Sequence, residues 1–285
     1  MTRFEGSNRP QASINIREAE AVSLTKVRPT IRNLPHAPEF GTIAQRVPPE
    51  ALGIAGKNDG AILETAASIA SGVHRPSKAP AEAERGAAQG RRLTQEAAAL
   101  REWARYEGLI LPEAEFDREW NASERHGGQE HDVFLALDGR TVWKRNNLSF
   151  HASWQQYFER LILHNWLFPE APLNFEGFDD CNGELRPVTT QPYIIAERGA
   201  TLDDMRPALE AKGFVHVPGT VADFYHAERG ILVEDMHDEN AVISEKGELT
   251  VFDPTIYASV PRNQVAKLQR LGLMPKASSP KGPGP

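Results

Sequence analysis

"ILVEDMHDENAVISEKGELTVFDPTI", residues 231–256, sets polar groups at the ends of three short apolar runs. Asp235 follows "ILV", Asn240 opens "AVI", and Asp253 closes "LTVF". Runs of this length rich in Ile, Val and Phe read as buried strands. If the two strands after Asn240 pair through a turn near Lys246-Gly247, Asn240 and Asp253 lie at the same end of the ladder. A carboxylate and an amide oxygen at one mouth are hard ligands, suited to Mg²⁺ that phosphates also hold. Asp235 would face the same cavity, placed to accept or orient a hydroxyl proton. A lone Asp more commonly makes a polar loop or caps a turn. Three polar groups at this spacing favour a site.

The rest of the 285 residues bounds what that site can serve. Charged residues make up 25% and hydrophobic residues 40%, which fits a globular core with some solvated extra length. A net charge of −7 disfavours bulk attraction to nucleic acid, so the folded part is not expected to bind it. Cys181 is the single cysteine, which excludes an internal disulfide and a thiolate zinc cluster. The start "MTRFEGSNRPQ" has no apolar signal region, and no apolar run approaches the ~20 residues of a membrane span. A cytoplasmic protein without membrane contact is expected.

Residues 1–90 carry few aromatics and much Pro, Ala, Ser and charge. Such a segment buries too little apolar surface to offset its ordering entropy, so a mostly disordered extension is expected, with one short helix over 60–73. Folding should begin near Leu93, where "LTQEAAALREWARYEG" shows helical spacing up to Gly108. "HDVFLALDGRTVWKR" reads as a β-hairpin turning at Asp138-Gly139, with Val133, Leu135 and Leu137 on one face and Val142 and Lys144 together on the second strand. "SFHASWQQYFERLILHNWLF" reads as a helix capped by Ser149, and "LNFEGF" and "LRPVTTQPYIIAE" as two more strands. "TLDDMRPALEAKGF" is a short helix stopped by Gly213, with Asp203 and Asp204 charging its first turn. The sum is α+β, with a tail from 263 to 285 whose last part is expected to be disordered.

With the elements in order, a resemblance emerges. Asp235-Met236-His237-Asp238-Glu239-Asn240 is similar to the Asp-x-x-x-x-Asn catalytic loop of kinase-fold phosphotransferases. Its His resembles the aminoglycoside and choline kinase version. "VFDPT" stands where protein kinases keep Asp-Phe-Gly. The blocks "GGQEHDVFLALDGRTVWK", "YFERLILHNWLFPEAPLNFEGF", "RPVTTQPYI", "GILVEDMHDENAVI" and "LTVFD" occur in the order seen in the kinase-like domain of polyvalent proteins from phages and conjugative elements. The resemblance covers about residues 93–258 and implies a compact two-lobe, protein-kinase-like fold with a reduced C-lobe over 91–262.

It also implies roles. Lys144, held by Glu159 on the next helix, would neutralise nucleotide phosphates. Gly127 and Gly128 would bring backbone N–H groups to them. Ile194 and Ala196 fall where the hinge strand binds adenine. Asn240 and Asp253 would hold Mg²⁺, Asp235 would orient the acceptor hydroxyl, and His237 would support the loop. ATP and Mg²⁺ are the implied cofactors, and a protein or a small molecule the acceptor. Three departures stand out. Val233-Glu234-Asp235 lacks the His of His-Arg-Asp, Pro254 replaces the Phe-Gly pair, and some thirty residues follow Asp253. They keep a second reading open: a non-catalytic, pseudokinase-like scaffold. A metal hydrolase built on His164, His216, His226 and His237 is disfavoured, because none stands at ligand spacing.

Overall fold

The computed structural model describes residues 59–72, 85–112, 125–127, 130–181 and 183–275, all within one compact unit, Pro38–Pro285. The expectations for residues 1–58, for Gly128 and for the tail beyond 275 lie outside the described residues. Among those described, five helices and three antiparallel sheets make an α+β fold.

Two helices come first, α1 (Asp59–Gly72) and α2 (Arg85–Tyr106). Strands β1 (Arg125–Gly127), β2 (His131–Leu135) and β3 (Thr141–Asn146) follow, then α3 (Trp154–Leu167), β4 (Asn174–Cys181) and β5 (Glu184–Pro192). These five strands form one sheet in the order β1-β2-β3-β5-β4. The β2–β3 turn is the Asp138-Gly139 turn. Gly139 has φ +65°, and Asp138 Oδ1 accepts the N–H groups of Arg140 and Thr141. The burial phase differs from expectation. Phe134 and Ala136 are the buried residues of this arm, and Leu137 is 61% exposed. Phe134 stacks on Trp143 across the strand pair, so the aromatic pair fixes the register of the outer face. Val133 sits opposite Lys144 and lines the inner face instead.

Helix α3 starts at Trp154, not at Ser149. Ser153 is the cap, and its side chain accepts from Gln156 N at 3.1 Å. Residues 147–151 are withheld from the helix by polar turns: Asn146 Oδ1 accepts from Leu148 N, and Asn147 Oδ1 from Ser149 N. A second cap comes from a neighbour. Buried Glu96 of α2 accepts the Trp154 N–H at 2.7 Å and the Arg92 guanidinium at 2.6 Å. A carboxylate at a helix N-terminus satisfies an orphan donor and meets the positive end of the helix dipole. This contact sets α3 against α2. The aromatic rings of Trp154, Phe158, Phe175 and Phe178 then interlock between α3 and β4, mostly edge to face.

Helix α1 matches the short helix expected over 60–73, and α2 begins at Arg85, inside the stretch expected to be mostly disordered. Leu63, Ala66 and Ala70 of α1 are buried in the same core as Phe158. Small residues bury little area each, so their pattern reads as weak until α3 supplies a wall of aromatics.

After Pro192 the chain leaves the first sheet, and the single long strand expected here splits in two. Strand β6 (Ala196–Gly199) pairs instead with β10 (Ala241–Ser244), which pairs with β11 (Leu249–Val251). Helix α4 (Leu202–Glu210) follows, with Thr201 and Asp204 in a reciprocal capping box. The third sheet has the order β12-β9-β8-β7, from Thr255–Tyr257, Ile231–Glu234, Phe224–His226 and Val215–His216. Helix α5 (Arg262–Arg270) lies across the expected tail boundary at 263. Leu268 is buried with Val217, Tyr225 and Leu232, which extends the folded part beyond 262. Among the described residues no helix is long and apolar enough to cross a membrane.

Candidate active site

Strands β10 and β11 pair with Ala241 opposite Val251, through a turn at Gly247 with φ +76°. The Phe252 N–H then donates to Asn240 O at 3.0 Å, so Asn240 and Asp253 lie at the same end of the ladder. On the other side, β12 pairs with β9 with Thr255 opposite Glu234, which brings Asp235 to that end too. Asp235 and Asp253 line one cleft of about 390 Å³, together with Glu130, His131, Arg160 and Tyr257. That volume is within the range of small-molecule sites.

Asp235 has φ +63°, the left-handed region that costs a non-glycine residue of order 1 kcal/mol. The Asn240 amide holds this turn by donating to Asp235 O at 2.9 Å and to Asp235 Oδ2 at 3.2 Å. His237 Nδ1 accepts from Glu239 N at 3.2 Å, which puts the neutral ring's proton on Nε2. That Nε2 faces Asp235 Oδ1 at 3.2 Å. The three side chains thus brace one another, and the amide oxygen of Asn240 is left over for another partner. Gly199, at the end of β6, packs on this loop. A Cβ there would come within 2.5 Å of Asp238 Cβ, so only glycine allows the approach.

Lys144 is buried behind Asp253, in a small pocket of about 20 Å³ that shares Glu130, His131, Arg160 and Asp253 with the cleft. Its Nζ donates to Phe252 O at 3.3 Å and lies 3.8 Å from Asp253 Oδ1. Burial pushes the ammonium pKa down, and the Asp253 charge opposes that shift. For Asp253 burial acts upward, but the charges of Lys144, His131 and Arg160 outweigh it and hold the carboxyl below its ordinary range.

The structure does not bring Glu159 to Lys144. Glu159 accepts from Gln155 Nε2 at 2.8 Å, along the row of α3 that is four residues apart. The α3 residues that line the cleft and its adjoining pocket are Gln156, Tyr157, Arg160 and Leu161, and Glu159 is not among them; a helix turns about 100° per residue, which carries Glu159 away from Arg160. Arg160 takes the inward place. Its guanidinium donates to Glu130 Oε1 at 3.0 Å and to Pro254 O at 2.8 Å, and lies 3.8 Å from Asp253 Oδ1. Glu130 Oε1 also accepts from His151 Nε2 at 2.7 Å and from Asn146 Nδ2 at 2.9 Å. Burial would raise the Glu130 pKa; the His151 hydrogen bond and the Arg160 charge win and place it far below the ordinary carboxylate value. Glu130, His131, Asn146, His151 and Arg160 are the site residues that sequence reasoning missed. Asn146 was legible, because it shares the strand face of Lys144 two residues earlier.

Of the other expected residues, Gly127 ends β1, three residues before Glu130. Ile194 lies in the three-residue link between β5 and β6, and Ala196 opens β6. That link is the crossing from the first sheet to the second. Among the described residues no group of three or more His, Cys, Asp or Glu could hold a metal on its own. Asn240 and Asp253 carry hard oxygens of the type Mg²⁺ takes, and such an ion needs only one or two protein ligands where phosphate and water complete its shell.

Several histidines of this region are kept neutral by burial: the pKa of His131 and of His164 is pushed down to about 4, and that of His151 is lowered. The unfolded chain takes up these protons near pH 6.5, whereas the folded protein does not until about pH 4. Stability therefore falls as pH drops from 6.5 to about 4, and Glu130 and Asp253, whose pKa values are lowered, extend the loss below pH 4.5. Thermal melts from pH 7.5 downward should show this slope. His164→Asn, which removes about 3 kcal/mol of it, should flatten the curve.

Comparison with curated proteins and with solved structures gives no match. A family comparison does: residues 93–260, more than half of the chain, match the serine/threonine/tyrosine kinase found in polyvalent proteins. That span runs from the α2 residues above the first sheet to just past β12, and takes in Lys144, Asp235, Asn240 and Asp253. By that match the chain belongs to the family of kinases found in polyvalent proteins.

Proposed function

We propose that this chain is a phosphotransferase that moves the terminal phosphoryl group of ATP, held with Mg²⁺, to an acceptor hydroxyl. The observation that carries the reading is the meeting of Asp235 and Asp253 at one cleft, with the buried Lys144 ammonium 3.8 Å behind Asp253. Lys144 would lie against the nucleotide phosphates. The link at Ile194 and the start of β6 at Ala196 offer backbone groups for the base. Asn240 and Asp253 would hold Mg²⁺, which when bound supplies charge neutralisation at the phosphates.

Asp235, braced by His237 and Asn240, would accept the proton as the acceptor oxygen bonds to the terminal phosphorus and the bond to the leaving diphosphate oxygen breaks. In such transfers positioning and electrostatics carry most of the barrier reduction, so few side chains suffice. Glu159 has no part in this scheme. Arg160 and Glu130 occupy the neighbourhood where a Lys-pairing carboxylate was expected. The reading extends to a mobile-element protein acting in a bacterial cytosol, as the resemblance to polyvalent proteins of phages and conjugative elements implies.

The test separates chemistry from binding. Asp235→Asn should cut transfer of labelled phosphate from ATP, to the chain itself or to a hydroxyl acceptor, by about 10³-fold. It should leave nucleotide binding, read as a thermal shift with ATP and Mg²⁺, within a factor of a few. Equal transfer by wild type and variant would remove Asp235 from the reaction. Nucleotide binding with no transfer by either would favour the scaffold reading.

A further inference from the structure

Arg160 and Glu130 form an arrangement the proposed scheme does not use. Two cationic side chains, Lys144 and Arg160, each stand 3.8 Å from the same oxygen, Asp253 Oδ1. Lys144 is additionally bound to a backbone carbonyl of the strand end, and Arg160 to the next one but one, Pro254 O. Arg160 differs in presenting the rest of its fork to a second anion. Glu130 meets it with both oxygens, at 3.0 and 3.3 Å from Nη1. That carboxylate also takes the Nε2–H of His151 and an N–H of Asn146. Donors from β3, the following turn and α3 thus converge on one carboxylate position, which lines the cleft.

Planar, convergent N–H donors around a desolvated position suit phosphate oxygens as well as they suit a carboxylate. Glu130 itself sits in the short connection between β1 and β2, two residues beyond the Gly127-Gly128 pair, and lines the cleft. The charges agree. Lys144 and Arg160 are balanced by Glu130 and Asp253 in the structure. A phosphate chain entering beside Lys144 would add negative charge next to Glu130, and the repulsion is relieved when that side chain turns out.

We infer that Arg160 is a phosphate-binding residue of this cleft, and that the Glu130 carboxylate holds the phosphate's seat until a polyphosphate ligand displaces it. The inference rests on the phosphotransferase reading for the identity of the ligand but not for the seat itself. It has a signature that a purely structural clasp lacks. If Glu130 competes with the ligand, removing its charge strengthens binding, because less of the protein is held in the closed form. If Glu130 and Arg160 only clasp the β1–β2 connection to α3, removing either weakens binding alike.

Calorimetric titration with Mg²⁺-ATP, with adenosine and with inorganic tripolyphosphate tests this on wild type, Arg160→Gln, Arg160→Lys and Glu130→Gln. Arg160→Gln should weaken ATP and tripolyphosphate about 10- to 100-fold and leave adenosine unchanged. Arg160→Lys, which keeps the charge and loses the fork, should fall between and stands in if the Gln variant does not fold. Glu130→Gln should tighten both polyphosphates several-fold. Weakening by Glu130→Gln in step with Arg160→Gln would overturn the inference. So would ATP binding that Arg160→Gln leaves intact, although the phosphotransferase reading would survive. Arg160-dependent binding of tripolyphosphate without ATP binding would keep the seat and remove the nucleotide. Binding of no probe by wild type would remove both.

Discussion

Asp253→Asn is expected to abolish measurable phosphoryl transfer, a loss of at least about 10³-fold, and to lower stability as well. Both effects come from one charge. In the proposed reaction Asp253 is the protein's anionic ligand for Mg²⁺, and Asn240 alone offers only a neutral oxygen. In the protein by itself, Asp253 Oδ1 sits between Lys144 and Arg160 at 3.8 Å from each. Asn keeps the shape and removes the countercharge, so a buried ammonium loses its anion. Breaking a fully buried pair costs 3–5 kcal/mol; Asp253 faces the cleft, so about 2 kcal/mol is expected. The Lys144 pKa, already lowered by burial, should fall further. Denaturant melts and transfer assays on the same sample read both effects. Wild-type stability together with wild-type transfer would remove Asp253 from the site.

Phe158→Ala should be the most destabilising single substitution among the ordinary core positions, at about 4 kcal/mol. Phe158 is fully buried and meets Trp154, Tyr157, Phe175 and Phe178 within 6.3 Å between ring centroids. Its removal opens a cavity that four rings fixed by strands and helix caps cannot close. Because α3 also carries Arg160, the loosened helix should weaken polyphosphate binding in the variant that still folds. A thermal midpoint within a degree or two of wild type would mean that these rings do not share one packed core.

The same residues show what the sequence makes legible. The hairpin from Asn240 to Asp253 was readable because strand period, turn glycine and polar ends agree with one another over a short span. Lys144 was readable because strand alternation puts it on the face of Val142. The pairing of Lys144 was not. The expectation of Glu159 came from the resemblance, whereas the rotation of α3 is set by where Trp154 begins the helix, and that depends on Ser153 and on Glu96, 58 residues away. The spacing Ser153-x-x-Gln156 carried the start signal and was passed over for Ser149. Glu130 was hidden because its meaning lies in three partners from three different elements. Strands β7, β8 and β12 escaped for a simpler reason: two or three residues are too few to show a period. The burial phase of β2 was read from Val133 and Leu135, the larger count of aliphatics. Phe134, one ring with a stacking partner, decided it.

Only Phe252, Asp253 and Pro254 separate β11 from β12, and all three are tied down. Phe252 gives its N–H to Asn240 and its carbonyl to Lys144 and Gln191; the Pro254 carbonyl takes Arg160. Enzymes that switch by swinging a metal-binding carboxylate in and out need a slack stretch of chain on at least one side of it. Here there is none, so an inhibitor designed to capture an outward-turned carboxylate would have no such state to select. Control over this protein would have to be exercised by what occupies the cleft, or by supply of its substrates, rather than by a latch in the chain beside Asp253.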